Sequence, residues 1–289
     1  LCREWAEKFV DVQREGFKRL GVNGEWDRPY LTFQPTFESA NVEVFKKMYL
    51  SGAVYRGRKP IHWCKRCHTA LAEAEIEYGM ETSPSIYVAF KLDNIPQVFA
   101  DAGVDLARAY VLIWTTTPWT LPANTAVSFG PDIDYCFVEA NGAFMLFARE
   151  MVDQVAEAVG WDSYRIVEAD GEPVTMKGDA FGGITYKTPI LDEVEGRIIW
   201  GTHVTLESGT GAVHTAPGHG VDDYKVCERF GVPMIMPVDD DGRFMDIVPE
   251  FAGMDTDEAN PRIIEWLRAR GTLVGFKEIE HSYPHCWRC

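Results

Sequence analysis

Two segments about ninety residues apart carry the residues able to do chemistry. Trp114-Thr-Thr-Thr-Pro-Trp-Thr-Leu-Pro-Ala-Asn124 puts four threonine hydroxyls and an asparagine amide into eleven residues. Its two prolines argue against a regular helix or a central strand. Gly209-Thr-Gly-Ala-Val-His-Thr-Ala-Pro-Gly-His-Gly-Val-Asp-Asp-Tyr224 combines small residues with two histidines and two aspartates. Together they predict a backbone-rich pocket that hydrogen-bonds a polar ligand and sets one buried carboxylate against it. Such a pocket suits recognition followed by hydrolysis. Residue type alone reads His214 more readily as a core histidine than as a functional one, and Trp114 and Trp119 as core aromatics. Asp222, near a helix start, reads as that helix's cap.

A second constellation is Cys64-Lys-Arg-Cys67 and Cys286-Trp-Arg-Cys289. Each Cys-x-x-Cys lets two thiolates reach one ion, and two such knuckles complete a tetrahedral Cys₄ zinc site. Their wide separation makes sense if a whole domain is inserted between them. A redox pair or plain buried thiols is the alternative, and no βαβ pattern surrounds Cys64 to support redox chemistry. Other motifs fail. Gly209-Thr-Gly211 lacks the third glycine of a dinucleotide loop, and neither a Walker loop nor a Gly-x-Ser-x-Gly elbow occurs. Asp239-Asp-Asp-Gly242 does not place calcium ligands at the required spacing and reads as a solvated turn.

The elements that must position these groups follow from periodicity. Glu4–Leu20 and Glu38–Leu50 carry helical patterns, with a loop over 24–36. From Ser85 onward, short β-branched and aromatic runs predict strands at Ser85–Phe90, Tyr110–Trp114, Thr125–Phe129, Tyr135–Val138, Phe144–Phe147 and Arg165–Val167. Helices are expected over Arg149–Val159, Asp222–Phe230 and Pro261–Arg270, the last with proline at its first position. The fold class is mixed and β-dominated, a closed or nearly closed β-barrel with peripheral helices on a small α-helical, zinc-ribbon base.

The 289 residues are 46% apolar and 25% charged, as in a soluble globular protein. No apolar run approaches the roughly 20 residues of a membrane span. Net charge is −16. Residues 1–70 hold 13 Lys/Arg against 8 Asp/Glu, and residues 71–289 hold 15 against 36. Such an acidic body argues against wrapping nucleic acid broadly, though not against admitting one nucleotide end into a pocket. Seven cysteines and no secretion signal point to the reducing cytoplasm. The chain opens on Leu1 and closes on a zinc-knuckle cysteine, which predicts a piece of something longer.

These segments resemble the isoleucyl-tRNA synthetases. So do Gln13-Arg-Glu-Gly-Phe-Lys-Arg-Leu-Gly-Val22, Pro29-Tyr-Leu-Thr32, Ile61-His-Trp-Cys-Lys-Arg-Cys67, Ala70-Leu-Ala-Glu-Ala-Glu-Ile-Glu-Tyr78 and His281-Ser-Tyr-Pro-His-Cys-Trp-Arg-Cys289. The valine and leucine enzymes resemble Thr-Thr-Arg-Pro-(Glu/Asp)-Thr where this chain has Thr115-Thr-Thr-Pro-Trp-Thr120, and generally lack the His-Thr-Ala-Pro-Gly-His-Gly stretch found at 214–220. The resemblance implies the inserted editing domain over 81–275 on a base formed by 1–80 with 276–289. The synthetic site's His-x-Gly-His and Lys-Met-Ser-Lys-Ser signatures are absent, so ATP and Mg²⁺ belong to a part of the parent enzyme outside this sequence.

By that resemblance the activity is hydrolysis of misacylated valyl-tRNA(Ile), with the tRNA acceptor end, valine and the rest of the synthetase in cis as partners. Asp223 would hold the substrate's α-ammonium and His214 would wall the side-chain pocket. Thr115, Thr116, Thr117 and Thr120 would line the site with Trp114 and His219, supported by Asn124, while Gly211 and Gly218 allow close approach to the backbone. Any of the three adjacent threonines could take the inward position assigned to Thr116, and His219 could equally be structural. Cys64, Cys67, Cys286 and Cys289 would hold a structural Zn²⁺. The competing expectation is a zinc-stabilised module that docks the acceptor end without hydrolysing anything, its basic residues Lys46, Lys47, Arg56, Arg58, Lys59, Lys65 and Arg66 facing the nucleic acid.

Overall fold

A computed structural model describes residues 1–191 and 193–289. The chain divides into two units, Leu1–Arg58 and Lys59–Cys289. The first holds two helices, α1 (Cys2–Arg19) and α2 (Pro35–Leu50), the latter with its proline in the first turn. Neither helix buries a residue. The Arg3 guanidinium donates to the Phe33 carbonyl at 2.7 Å and pairs with Glu38, and Tyr30 meets Phe37 edge to face.

The second unit is mixed and sheet-dominated. A two-stranded clip, β1 (Trp63–Cys64) and β2 (Thr69–Ala70), precedes the long β3 (Ile76–Leu92). The short helix α3 (Gln97–Asp101) leads to β4 (Ala109–Thr115), β5 (Ala126–Phe129), β6 (Asp134–Ala140) and β7 (Ala143–Ala148). Then come α4 (Val152–Val159), the short strands β8 (Tyr164–Ile166), β9 (Glu168–Ala169), β10 (Glu172–Pro173) and β11 (Met176–Lys177), and β12 (Thr185–Lys187). β13 (Glu195–Trp200), β14 (Ala212–Thr215), α5 (Val221–Phe230), α6 (Thr256–Ala269) and β15 (Leu273–Cys286) complete it.

The pairings return on themselves. β4 pairs with β14, β14 with β5, β5 with β13, β13 with β12, β12 with the end of β3, and β3 again with β4. Inside lie the residues that make these segments strands. Phe90, Leu112, Ile113, Phe129, Phe137 and Tyr186 are all fully buried. Tyr135 stacks on Phe129 at 3.8 Å between ring centroids, and its hydroxyl is fully paired: it accepts from the Gly130 amide and donates to the Gly211 carbonyl. Burying a tyrosine needs such partners.

Three expectations change in detail. Helix α6 begins at Thr256, so Pro261 lies inside it; the start is set by Asp255, whose carboxylate accepts from the Asp257 amide while Glu258 reaches back to the Asp255 amide. Asp222 does not cap α5. Gly220 holds that position, and Asp222 is exposed and pairs with Lys225 at 3.1 Å. The acidic turn is more than solvated, because Asp239 accepts the amides of Asp241 and Arg243 and the Asp240 carbonyl receives the Trp63 indole N–H at 2.8 Å.

Candidate functional site

The two chemistry-bearing segments meet. β14 runs between β4 and β5, in parallel register with the first (Val213 opposite Trp114) and antiparallel to the second (His214 opposite Val127). The chain leaving β4 cannot continue as a strand through Pro118 and Pro122, and folds instead into a 3-10 turn, Pro118–Ala123. That turn carries the threonines to the end of β14.

His214 sits at the junction with both ring nitrogens engaged. Nδ1 is 2.7 Å from the Asn124 amide nitrogen and Nε2 is 3.0 Å from Thr120 Oγ1. The partners fix the direction of every bond. The buried Tyr186 hydroxyl donates to Asn124 Oδ1 at 2.6 Å, which turns the amide nitrogen toward the Ala126 carbonyl and His214 Nδ1. Nδ1 therefore accepts, and the proton sits on Nε2, donating to Thr120 Oγ1. That hydroxyl passes its own proton to the Thr117 carbonyl at 2.8 Å. Burial lowers His214 to about 3, with His219 nearby adding to the effect, so the ring is neutral. His219 is brought down to about 4 by burial; its Nε2 has no partner among the described residues, and its ring stands edge-on to Trp119 at 4.8 Å.

The four threonines divide into two pairs. Thr115 Oγ1 accepts the Thr117 amide at 3.0 Å and Thr120 bonds as above, so these two hold the turn together. Among the described residues nothing bonds the hydroxyls of Thr116 or Thr117, which leaves them available to a ligand. Trp114 donates its indole N–H to Ser85 Oγ at 2.8 Å.

Asp223 follows directly on β14 in space. From the first turn of α5 its carboxylate accepts the Ala216 amide at 2.8 Å and fills the place a Cβ on Gly220 would occupy. Burial raises its pKa above the usual carboxylate range, and the Ala216 hydrogen bond works against that rise. Gly211 and Gly218 are required by the protein itself. At Gly211 φ is +68° and a Cβ would meet Ala148 at 2.5 Å; at Gly218 it would overlap the Met236 sulfur.

Reasoning from residue types missed Tyr186 and Asn260. The first orients Asn124 from 62 positions away, and the second accepts the Trp119 amide with its Oδ1 at 3.0 Å. No local pattern marks either. A groove of about 340 Å³ between Lys91, Lys187 and Arg270 shares no residue with the two segments. Its cations face the protein: Lys91 donates to the Leu92 carbonyl, Lys187 faces Asp93, and Arg270 lies over Trp266.

The four knuckle cysteines converge, their sulfurs all within 4.8 Å of one another. Sulfurs around a tetrahedral zinc at a bond length of about 2.3 Å stand roughly 3.8 Å apart, so the set could hold a metal ion. The Cys67 amide donates to Cys64 Sγ at 3.3 Å. Burial pushes the Cys64 thiol up, but this bond and those with Cys289, Arg66 and Cys286 outweigh it and bring the group down to about 6, while Cys67 and Cys289 are pushed up, so without an ion the cluster gathers around a single thiolate at Cys64.

Residues 1–265 match the family described as tRNA synthetases class I (I, L, M and V). The whole chain aligns with isoleucine–tRNA ligases, at 48% identity with that of Desulfovibrio desulfuricans and 46% with those of Moorella thermoacetica and Kosmotoga olearia. It spans about 30% of the length of these curated relatives. In fold it is similar to the crystal structure of GlLeuRS-CP1, with a TM-score of 0.53 at 16% identity over 68% of this chain and 98% of that one.

Proposed function

The chain belongs to the class I tRNA synthetases, and on that footing we propose that it is the proofreading part of an isoleucine–tRNA ligase, hydrolysing valyl-tRNA(Ile) to valine and tRNA(Ile). Residues 81–275 would form the editing domain, its ring of strands a closed barrel, and 1–80 with 276–289 its base. The observation that carries the reading is the threonine turn bonded to His214 on β14, with Asp223 bonded to Ala216, the residue that follows that strand.

A missing methylene is worth only about 1–3 kcal/mol, a general figure for which isoleucine against valine is itself the usual illustration, so a synthetic site alone passes too much valine. A second pocket that admits only the smaller side chain corrects this. In this reading Asp223 receives the α-ammonium that every aminoacyl ester carries, which places the ester carbonyl without reading the side chain. The arriving cation also offsets the burial that disfavours the carboxylate's charge. Thr116 and Thr117 offer the hydroxyls that bond the terminal adenosine and the ester. His214, neutral and with both nitrogens engaged, has no lone pair to give a proton acceptor's service; it acts as a wall of fixed shape. An ordered water attacks, helped by the ribose hydroxyl beside the ester.

Four convergent cysteine sulfurs support one structural zinc, which when bound would cross-link the two knuckles across the inserted residues. ATP and Mg²⁺ would serve only the parent's synthetic site. The partners would be the acceptor end of tRNA(Ile) and the rest of the synthetase, in the cytoplasm. No helix among the described residues is long and apolar enough to cross a membrane.

One observation favours the docking-only alternative: both ring nitrogens of His214 are engaged, and burial lowers His219 to about 4, so neither ring is poised as a base near neutral pH. Deacylation of valyl-tRNA(Ile) decides. The proposal expects valine release that Asp223→Ala abolishes and that His214→Ala extends to isoleucyl-tRNA(Ile). Retention of tRNA with no valine released would leave the docking module.

A further inference from the structure

The threonine turn has a weak point. Pro118 has no amide, and the amide of Trp119, the next residue, has no partner within the turn. It is satisfied from 141 residues away, by Asn260 Oδ1 at 3.0 Å. Asn260 lies one helical turn beyond Thr256, the first residue of α6. That first turn is gripped by a residue of the cysteine clip. Lys65, between Cys64 and Cys67, donates from Nζ to Asp255 Oδ1 at 2.6 Å, to Asp257 Oδ2 at 2.8 Å and to Thr256 Oγ1 at 3.0 Å.

A lysine is the wrong charge for a helix N-terminus, whose dipole favours anions. It is held there because Asp255 and Asp257 supply opposite charge and Thr256 completes the shell. Further contacts fix the clip to the same place. Trp63 donates to the Asp240 carbonyl at 2.8 Å, and His68 Nε2 lies 3.3 Å from Asp241. Gly242, at φ +75°, lets the Lys65 stem pass, since a Cβ there would stand 2.6 Å from Lys65 Cδ. Its carbonyl then accepts the Thr256 amide at 3.0 Å.

We propose that Asn260 is a positioning residue for the threonine turn and that Lys65 couples its helix to the cysteine clip, so that metal bound by the four cysteines orders a turn no metal touches. The inference rests on the hydrolytic reading for its consequence, but the coupling itself does not. With the knuckle closed, Lys65 is fixed at both ends and α6 starts where Asn260 meets Trp119. With it open, Lys65 loses its anchor, the first turn of α6 is released, and the Trp119 amide loses its acceptor.

The test follows hydrogen exchange of the Trp119 amide by NMR in the 289-residue chain, together with metal content and valine release. Asn260→Ala is expected to speed exchange about tenfold, as the loss of one ordinary hydrogen bond does, and to lower kcat with little change in KM. Asn260→Asp keeps the acceptor and should restore both. Lys65→Met should retain wild-type metal content yet show fast Trp119 exchange, and chelation should add nothing further in that variant. Should Asn260→Ala fail to fold, the aspartate and Lys65→Met variants still decide. Wild-type exchange in metal-loaded Lys65→Met, or an Asn260→Asp variant with Trp119 exchange raised about tenfold over wild type, would overturn the coupling. A wild-type chain that releases no valine would sink the hydrolytic reading alone, because the exchange series is read without substrate.

Discussion

His214 is held at both ring nitrogens, by Asn124 and by Thr120, and Tyr186 in turn fixes Asn124. Its shape is therefore set by a tyrosine it does not touch. Tyr186→Phe removes the donor to Asn124 Oδ1 and frees the amide to rotate, which would offer His214 Nδ1 an acceptor in place of a donor. The expected result is a loss of about 1–2 kcal/mol in urea unfolding and poorer discrimination between valyl and isoleucyl esters. Unchanged discrimination would separate the tyrosine from the site. The same burial makes stability depend on pH. His214 and His219 fold with their pKa values lowered to about 3 and about 4, whereas an unfolded histidine protonates near 6.5. Between those values the unfolded chain binds more protons, so stability is complete above about pH 6.5 and falls as the pH drops. At pH 5 the loss should reach up to about 2 kcal/mol for each ring, partly offset because Asp223, raised by burial, takes up its proton earlier in the folded state. Urea midpoints at pH 7 and pH 5 measure it; a midpoint that does not fall would mean the rings are not buried as neutral groups.

The strands deliver these residues through register, and one glycine guards it. Gly196 on β13 lies opposite Tyr186 on β12, and a Cβ there would overlap the tyrosine ring. Gly196→Ala should cost about 1–3 kcal/mol and shift Tyr186 from Asn124, so its discrimination defect should resemble that of Tyr186→Phe. A fully stable Gly196→Ala variant would show that the ring can move without harm. At this scale the sequence was legible where local chemistry was strong. The β-branched runs from Ser85 to Phe147 fall within strands save for Thr125, which lies just before β5, and the threonine and histidine segments do meet. Pro261 misled because proline suits a first helical turn; the stronger start signal, Asp255 with Glu258 three residues on, lay upstream. β15 was not legible at all. Its Lys277-Glu-Ile-Glu-His-Ser-Tyr-Pro-His285 stretch is mostly polar and half-exposed, and it is a strand only because β3 pairs with it over thirteen positions. Tyr186 and Asn260 escaped for the same reason: their roles exist only between distant residues.

For the whole chain, order is concentrated where apolar area is buried. The unit Lys59–Cys289 holds every fully buried side chain named above, while α1 and α2 of Leu1–Arg58 bury none and leave Trp5, Phe17, Phe45 and Leu50 exposed. Amide exchange should therefore be fast throughout Leu1–Arg58 and slow in β4, β5 and β14, whose opening requires loss of the core. The arm made by β3 and β15 lies between these limits. At its far end Ile76 pairs with Cys286, and from there to Met80 opposite Ser282 half the residues are exposed and none is buried. The backbone ladder and the cysteine clip, where Cys286 is itself a strand residue, hold that end, with His285 Nε2 3.7 Å from the Glu81 carboxylate beside them. A metal there closes a loop of more than two hundred residues, and loop closure removes more entropy from the unfolded chain as the loop grows. Chelation should therefore speed exchange from Ile76 to Met80 and from Ser282 to Cys286, lower the unfolding midpoint of this unit, and leave α1 as it was. Exchange in the arm that ignores chelation would mean the strands alone hold it, and the four sulfurs would then have no part in joining its two ends.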